Sequence, residues 1–237
     1  MKVWCASSVL GLALASSATF AATPGQNFNL SSWTLQLPIA SGGSVQQISG
    51  SSLESGYASQ YFYSASDGSM TFWCPVTGAT TPNTKYPRSE LRESRSGGDW
   101  PLTGTHTLTA SCKVSAVPSN GRVIIGQVHG NQSQSELLKL LWISGRLEAR
   151  VQPDRSSEVG LPLGTYSLGT RLDYQIRMAN KILTVTVNGH TVTYSYSASV
   201  WQSDRYYFKA GTYPQDNSGS SSEGATVQFT SLSVSHN

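Results

Sequence analysis

Residues 181–196 read KILTVTVNGHTVTYSY, and this stretch decides the structural class of the chain. Leu183, Val185 and Val187 alternate with Thr184 and Thr186 before Asn188-Gly189, and Val192, Tyr194 and Tyr196 alternate with Thr193 and Ser195 after it. A period of two puts every second side chain on one face of a strand. Asn-Gly supplies the positive φ angles of a tight hairpin turn. The pattern recurs in both directions from here. YFYSASDGSMTFW (61–73) is two runs around Asp67-Gly68, LLKLLWISGRLEARV (137–151) is a hairpin around Ser144-Gly145, and ATVQFTSLSVS (225–235) is a further alternating strand.

Helical periodicity is hard to find outside the N-terminus, so the class is all-β. This many short strands predict two stacked antiparallel sheets, with a β-jelly-roll sandwich as the favoured architecture. Such a fold buries an apolar seam and leaves the outer face of one sheet free to form a concave, polar groove.

The N-terminus follows a different rule. Lys2, the apolar run VLGLALA (9–15) and the small residues SSATFAA (16–22) have the three-part layout of a secretory signal peptide, with an apolar run too short to span a bilayer. Residues 1–21 are assigned to it, with Ala18 and Ala22 as alternative cleavage points, and residues 22–237 to a single secreted domain. Removing Lys2 changes the formal charge from +3 to +2, since 15 basic residues then face 13 acidic ones. So small a surplus is no argument for nucleic acid, and a polyanionic partner would need the cations concentrated in one place. Cys5 leaves with the signal, so Cys74 and Cys112 are expected to form one disulfide, the alternative being two buried free thiols.

Three strands concentrate polar side chains. YPRSELRES (86–94) projects Arg88, Glu90 and Arg92 to one side and Ser89 and Leu91 to the other. The alternative is a solvated edge strand whose charges discourage aggregation. VIIGQVHG (123–130) predicts Gln127, His129 and Ile125 on one face, with Ile124 and Val128 toward the core. YYFKAGTYPQD (206–216), if regular, aligns Tyr207, Lys209, Gly211, Tyr213 and Gln215 opposite Phe208 and Ala210. A sandwich can lay these strands side by side, and their combined inventory suits a ligand with carboxylates and hydroxyls. His106, His190 and His236 have no comparable neighbours in sequence.

In this order, RSELR (88–92), QVH (127–129) and YFKAGTYPQ (207–215) resemble the signature blocks of the alginate lyases of polysaccharide lyase family seven, and FNLSSWTLQLP (28–38) resembles that family's N-terminal strand. The resemblance spans nearly the whole chain after the signal. It implies a jelly roll with a substrate groove, β-elimination of an anionic polysaccharide, no required cofactor or metal, and a monomer with neither nucleic-acid nor membrane partners. By position, Arg88, Gln127, His129 and Tyr213 match catalytic residues. Arg92, Lys209 and Gln215 match groove-lining positions, Tyr207 joins them, and Glu90 is expected to hold the arginines. Val128 puts the Gln-Val-His form here, which in the family goes with mannuronate-rich substrates.

Elimination removes the proton at C5 of a uronate, beside a carboxylate that must first be neutralised. Arg88 offers paired planar donors for it, with Gln127 and His129 as further donors. Tyr213 suits the acid that protonates the leaving oxygen, and its neighbours Arg88 and Lys209 would favour its phenolate, allowing it to act also as base. In mannuronate the C5 proton and C4 oxygen share a side, so Tyr213 can do both; in guluronate they lie opposite, which needs His129 as base. Glucuronan is the rival substrate, and a noncatalytic carbohydrate-binding module the rival class. A jelly-roll glycoside hydrolase would need two flanking carboxylates, which the sparse acidic residues do not supply. Asn29 and Asn131 begin Asn-x-Ser sequons, and a glycan on Asn131 would crowd the groove.

Overall fold

A computed structural model describes residues 22–197 and 199–237; the expected signal at 1–21 lies outside the described residues. The strands, in chain order, are β1 (Trp33–Ser41), β2 (Ser44–Ile48), β3 (Phe62–Ser64), β4 (Met70–Pro75), β5 (Ser89–Glu93), β6 (Thr105–Ala116), β7 (Arg122–Gly130), β8 (Glu136–Ile143), β9 (Arg146–Val151), β10 (Val159–Thr165), β11 (Arg171–Ala179), β12 (Ile182–Val187), β13 (His190–Ser195), β14 (Tyr206–Pro214) and β15 (Gly224–His236). The hairpin at Asn188-Gly189 forms as expected: β12 pairs with β13, and Asn188 and Gly189 take φ of 47° and 86°. Ser144 and Gly145 do the same, at 48° and 92°.

Two antiparallel sheets result, in the orders β10-β9-β8-β7-β14-β5-β1-β2 and β13-β12-β11-β6-β15-β4-β3. The seam between them is apolar. Phe208 and Val128 from the first sheet and Phe72, Phe229 and Ile176 from the second are fully buried there. Residues with the opposite phase on β5, β7 and β14 face away from the seam and form the groove. β5 lies between β14 and β1, inside the eight-stranded sheet, so its charges do not guard an edge.

Two expectations are corrected. Cys74 and Cys112 are both free thiols, buried on β4 and β6. β15 runs between those strands, pairing Ala225 with Cys74 and Phe229 with Cys112. Two strand spacings are about 10 Å, whereas a disulfide needs Cα atoms within roughly 7 Å. The second correction concerns β7. Its register slips between Ile124 and Gly126, so Ile125 joins the main core while Ile124 packs outside it with Tyr213 and Leu141. Gly126 belongs to the inward side too, because a Cβ there would meet the Tyr174 hydroxyl at 3.2 Å and Ile176 at 3.3 Å. A bulge puts two consecutive residues on one face and inverts everything before it.

Candidate active site

Register assembles the site. Lys209 of β14 is flanked by Arg92 of β5 and Gln127 of β7, while Tyr207 lies beside His129 and Gly211 beside Glu90. At Gly211 φ is 149°, and a Cβ would come within 2.7 Å of the Ser89 carbonyl oxygen and 2.8 Å of the Glu90 Cα. Only glycine lets β14 lie this close to β5.

Beneath the groove is a charge cluster centred on Glu90, which is fully buried. Its Oε2 lies 2.6 Å from Lys209 Nζ and 3.4 Å from Arg88 Nη1, and its Oε1 accepts a 2.6 Å bond from Gln127 Nε2. Lys209 also donates to Gln36 Oε1 at 3.0 Å. Burial alone would raise the Glu90 carboxyl, but Lys209 and Arg88 outweigh it and hold the carboxyl below its ordinary value. Burial, reinforced by Arg88, brings Lys209 down to about 8. Two cations thus share one carboxylate, and the surplus positive charge lies at the groove floor. Arg88 Nε and Gln127 Oε1 are buried with no partner among the described residues. Glu90 pairs with Arg88, whereas Arg92 is held by another residue.

Arg92 donates to both carboxylate oxygens of Asp99, at 3.2 and 3.0 Å, and to the Glu93 carbonyl at 2.8 Å. Its guanidinium carbon sits 3.9 Å from the centroid of the Tyr207 ring. Tyr207 in turn lies nearly parallel to the His129 ring, at 5.2 Å and 21°. His129 Nδ1 is 2.9 Å from the Gly130 carbonyl and 3.0 Å from the Tyr207 hydroxyl. Burial, helped by Lys209, lowers His129 to about 4, so the imidazole is neutral near pH 7.

Arg88 covers Tyr213, with its guanidinium carbon 3.9 Å from the ring centroid. Tyr86 meets the same ring edge-on at 6.5 Å. The expected bias toward phenolate is overturned: burial raises Tyr213 by more than Arg88 lowers it, so the free protein carries a phenol. The Gln215 amide donates to the Tyr213 and Pro214 carbonyls, at 3.4 and 3.5 Å, and lines the rim.

The groove, about 550 Å³, brings together Arg88, Arg92, His129, Tyr207, Lys209, Tyr213 and Gln215, with the Gln127 amide buried below them. Sequence reading missed Gln36, Glu136 and the loop segment Thr81–Tyr86, which also line it. Gln36 could have been found, since it is a polar residue two positions after Thr34 in an otherwise apolar strand. Asp99 had no local signal, because it precedes β6 in a loop and meets Arg92 only in the folded chain. Among the described residues no group of three or more His, Cys, Asp or Glu side chains is arranged to hold a metal ion. Asn131 is exposed next to this end of the groove.

This is a jelly-roll sandwich with a cationic, open groove carrying tyrosine phenols and an imidazole, the layout of an enzyme acting on an acidic polysaccharide. The chain belongs to the alginate lyase family, whose model matches residues 28–236. An alginate lyase of Klebsiella pneumoniae is 29% identical over 90% of this chain and 91% of its own. Among solved structures, alginate lyase A1-II′, a member of polysaccharide lyase family 7, is 40% identical with a TM-score of 0.85, covering 91% of this chain and 99% of that one. Alginate lyase PA1167 from Pseudomonas aeruginosa is 37% identical with a TM-score of 0.81, over 88% and 99%. Variants of A1-II′ have been crystallised with product (GGG) and, with a histidine and a tyrosine replaced, with substrate (GGMG).

Proposed function

We propose that this enzyme is a secreted, monomeric alginate lyase that cleaves the 4-O-glycosidic bond by β-elimination within the polymer, leaves 4,5-unsaturated uronate ends, and prefers mannuronate blocks. The observation that carries the chemistry is the pair of buried cations, Arg88 and Lys209, sharing the single carboxylate of Glu90 below an open groove. A substrate carboxylate over Arg88 completes that charge balance. It also neutralises the group whose charge most resists loss of the neighbouring C5 proton. The Arg88 guanidinium lines the groove and offers donors to it, with the Gln127 amide packed below, and preorganised donors of this kind typically contribute about 3–4 kcal/mol each to the transition state. Tyr213, a phenol, protonates the departing O4.

Mannuronate preference rests on Val128 in the Gln-Val-His segment. Val128 packs in the core on the opposite side of β7 from His129, so its size acts through the backbone that carries Gln127 and His129. On mannuronate, Tyr213 must ionise before it takes the C5 proton, and the Arg88 guanidinium against its ring assists. A second reading, guluronate as the better substrate, is favoured by the neutral His129 beside a protonated Tyr213, since that pair is ready to act as base and acid from opposite sides.

Separate incubations with polymannuronate, polyguluronate and glucuronan, followed by the ultraviolet absorbance of the new double bond, test this. The steepest rise is expected on polymannuronate, with early loss of viscosity from internal cleavage. No rise on any polyuronate overturns the elimination reading, and a steeper rise on polyguluronate selects the second. N-terminal sequencing of the exported protein tests cleavage after Ala21.

A further inference from the structure

We propose that Tyr207 is a positioning residue that sets the tautomer of His129, and through it the balance between mannuronate and guluronate; this rests on the elimination chemistry proposed above. The reason is a conflict at one nitrogen. His129 Nδ1 has two partners within hydrogen-bond distance, the Gly130 carbonyl at 2.9 Å and the Tyr207 hydroxyl at 3.0 Å. A carbonyl can only accept, so its bond requires hydrogen on Nδ1 and leaves a lone pair on Nε2. A phenol can donate, and when it donates to a bare Nδ1 the ring hydrogen resides on Nε2 instead. The carbonyl thus calls for one tautomer, and the phenol, which can accept from Nδ1–H or donate to a bare Nδ1, favours the other when it donates.

Nε2 makes no hydrogen bond to the protein among the described residues, and His129 lines the groove, so substrate meets whichever form Nε2 presents. With a lone pair, Nε2 can take the C5 proton of guluronate. With a hydrogen, it can donate to the substrate carboxylate while Tyr213 handles both protons of mannuronate. Conversion moves no net charge: one proton leaves Nδ1 to water, another is taken from water at Nε2, and the Tyr207 hydroxyl turns from accepting to donating.

The surroundings keep Tyr207 able to do this. Its phenol is pushed up to about 12, chiefly by burial, so the hydroxyl keeps its hydrogen. His129, lowered to about 4, holds a single ring proton near pH 7, which makes the location of that proton the variable. Asp99 grips Arg92 through both oxygens, and the Arg92 guanidinium lies against the Tyr207 ring, which fixes the phenol over the imidazole.

Tyr207→Phe in the full chain keeps the ring and removes the donor, leaving Gly130 as the partner of Nδ1. Turnover on polymannuronate is expected to fall about 100-fold to 1000-fold more than turnover on polyguluronate, the scale of losing one preorganised donor. Imidazole ¹⁵N shifts of His129 should move from a mixture toward the Nδ1–H form. An unchanged ratio of the two activities, or unchanged shifts in a folded variant, overturns the proposal. A wild-type protein inert on both polymers overturns the elimination reading instead, and the ¹⁵N spectra, which need no substrate, still decide the tautomer. Should the variant not fold, the wild-type spectrum decides: a pure Nδ1–H form overturns the proposal.

Discussion

Glu90 and Glu93 stand three positions apart on β5, both buried, and the two networks they anchor differ in one respect. Glu93 faces the seam side. Its Oε2 accepts from Trp100 Nε1 at 3.1 Å and the Phe208 amide at 3.0 Å, and its Oε1 lies 2.6 Å from His236 Nε2. His236 Nδ1 meets His106 Nδ1 at 2.9 Å, and His106 Nε2 reaches the Thr103 carbonyl at 2.8 Å. Each of these polar atoms has a partner. Around Glu90, by contrast, Arg88 Nε and Gln127 Oε1 have none. The Glu93 network, on the seam side, is scaffold, whereas the Glu90 network lies under Arg88 and Lys209 of the groove lining and is the one a ligand reaches.

Substitutions can break that distinction. Tyr213→Phe, on the open side, should lower turnover by at least about 100-fold with an unchanged melting temperature. Glu90→Gln strips the countercharge from Lys209 and Arg88, and should cost about 3–5 kcal/mol of stability together with most activity. Glu93→Gln should cost about 1–3 kcal/mol by unpairing buried donors, yet leave kcat/KM within a few-fold in the folded protein. If a stably folded Glu93→Gln loses turnover as Glu90→Gln does, the division into scaffold and site is wrong.

The pH dependence sharpens the comparison with a smaller effect. Burial would raise Glu93, but His236 and the Phe208 amide outweigh it, so Glu93 and Glu90 both lie below the ordinary carboxylate value. Their stabilisation is present at neutral pH and lost as pH falls through the folded values. His129, at about 4 when folded, adds the same sign, because between its ordinary value near ~6.5 and about 4 the unfolded chain binds more protons. Denaturant midpoints should therefore fall steadily below pH 6, and Glu93→Gln should flatten only part of that slope. The smallest effect is on redox. Reductant should leave the melting temperature unchanged, and both Cys74 and Cys112 should label in denaturant without it.

Much of the fold was legible because alternation and turn chemistry are local. Asn188-Gly189 and Ser144-Gly145 turn where their dipeptides say, and Arg88, Glu90 and Arg92 share the groove face. Other features needed partners distant in sequence. Nothing near Ile125 announces the bulge, which places Gly126 against Tyr174 and Ile176 from the opposite sheet. His106 and His236 looked solitary in sequence; they meet because β6 and β15 pair in register, and His236 reaches Glu93 because the two sheets stack. The tyrosine followed the same logic. Its neighbours' charges suggested a phenolate, but how deeply Tyr213 is buried could not be read from them.

By itself, then, the sequence determined which residues alternate, where the chain turns, and which polar side chains share a strand face, since each depends on backbone geometry within a few residues. The tertiary structure decided that β15 separates the two cysteines, that Asp99 rather than Glu90 holds Arg92, and that burial outweighs charge at Tyr213. Those outcomes depend on which strands lie side by side and how much water is excluded between them, and both are set by pairings between segments far apart in the chain.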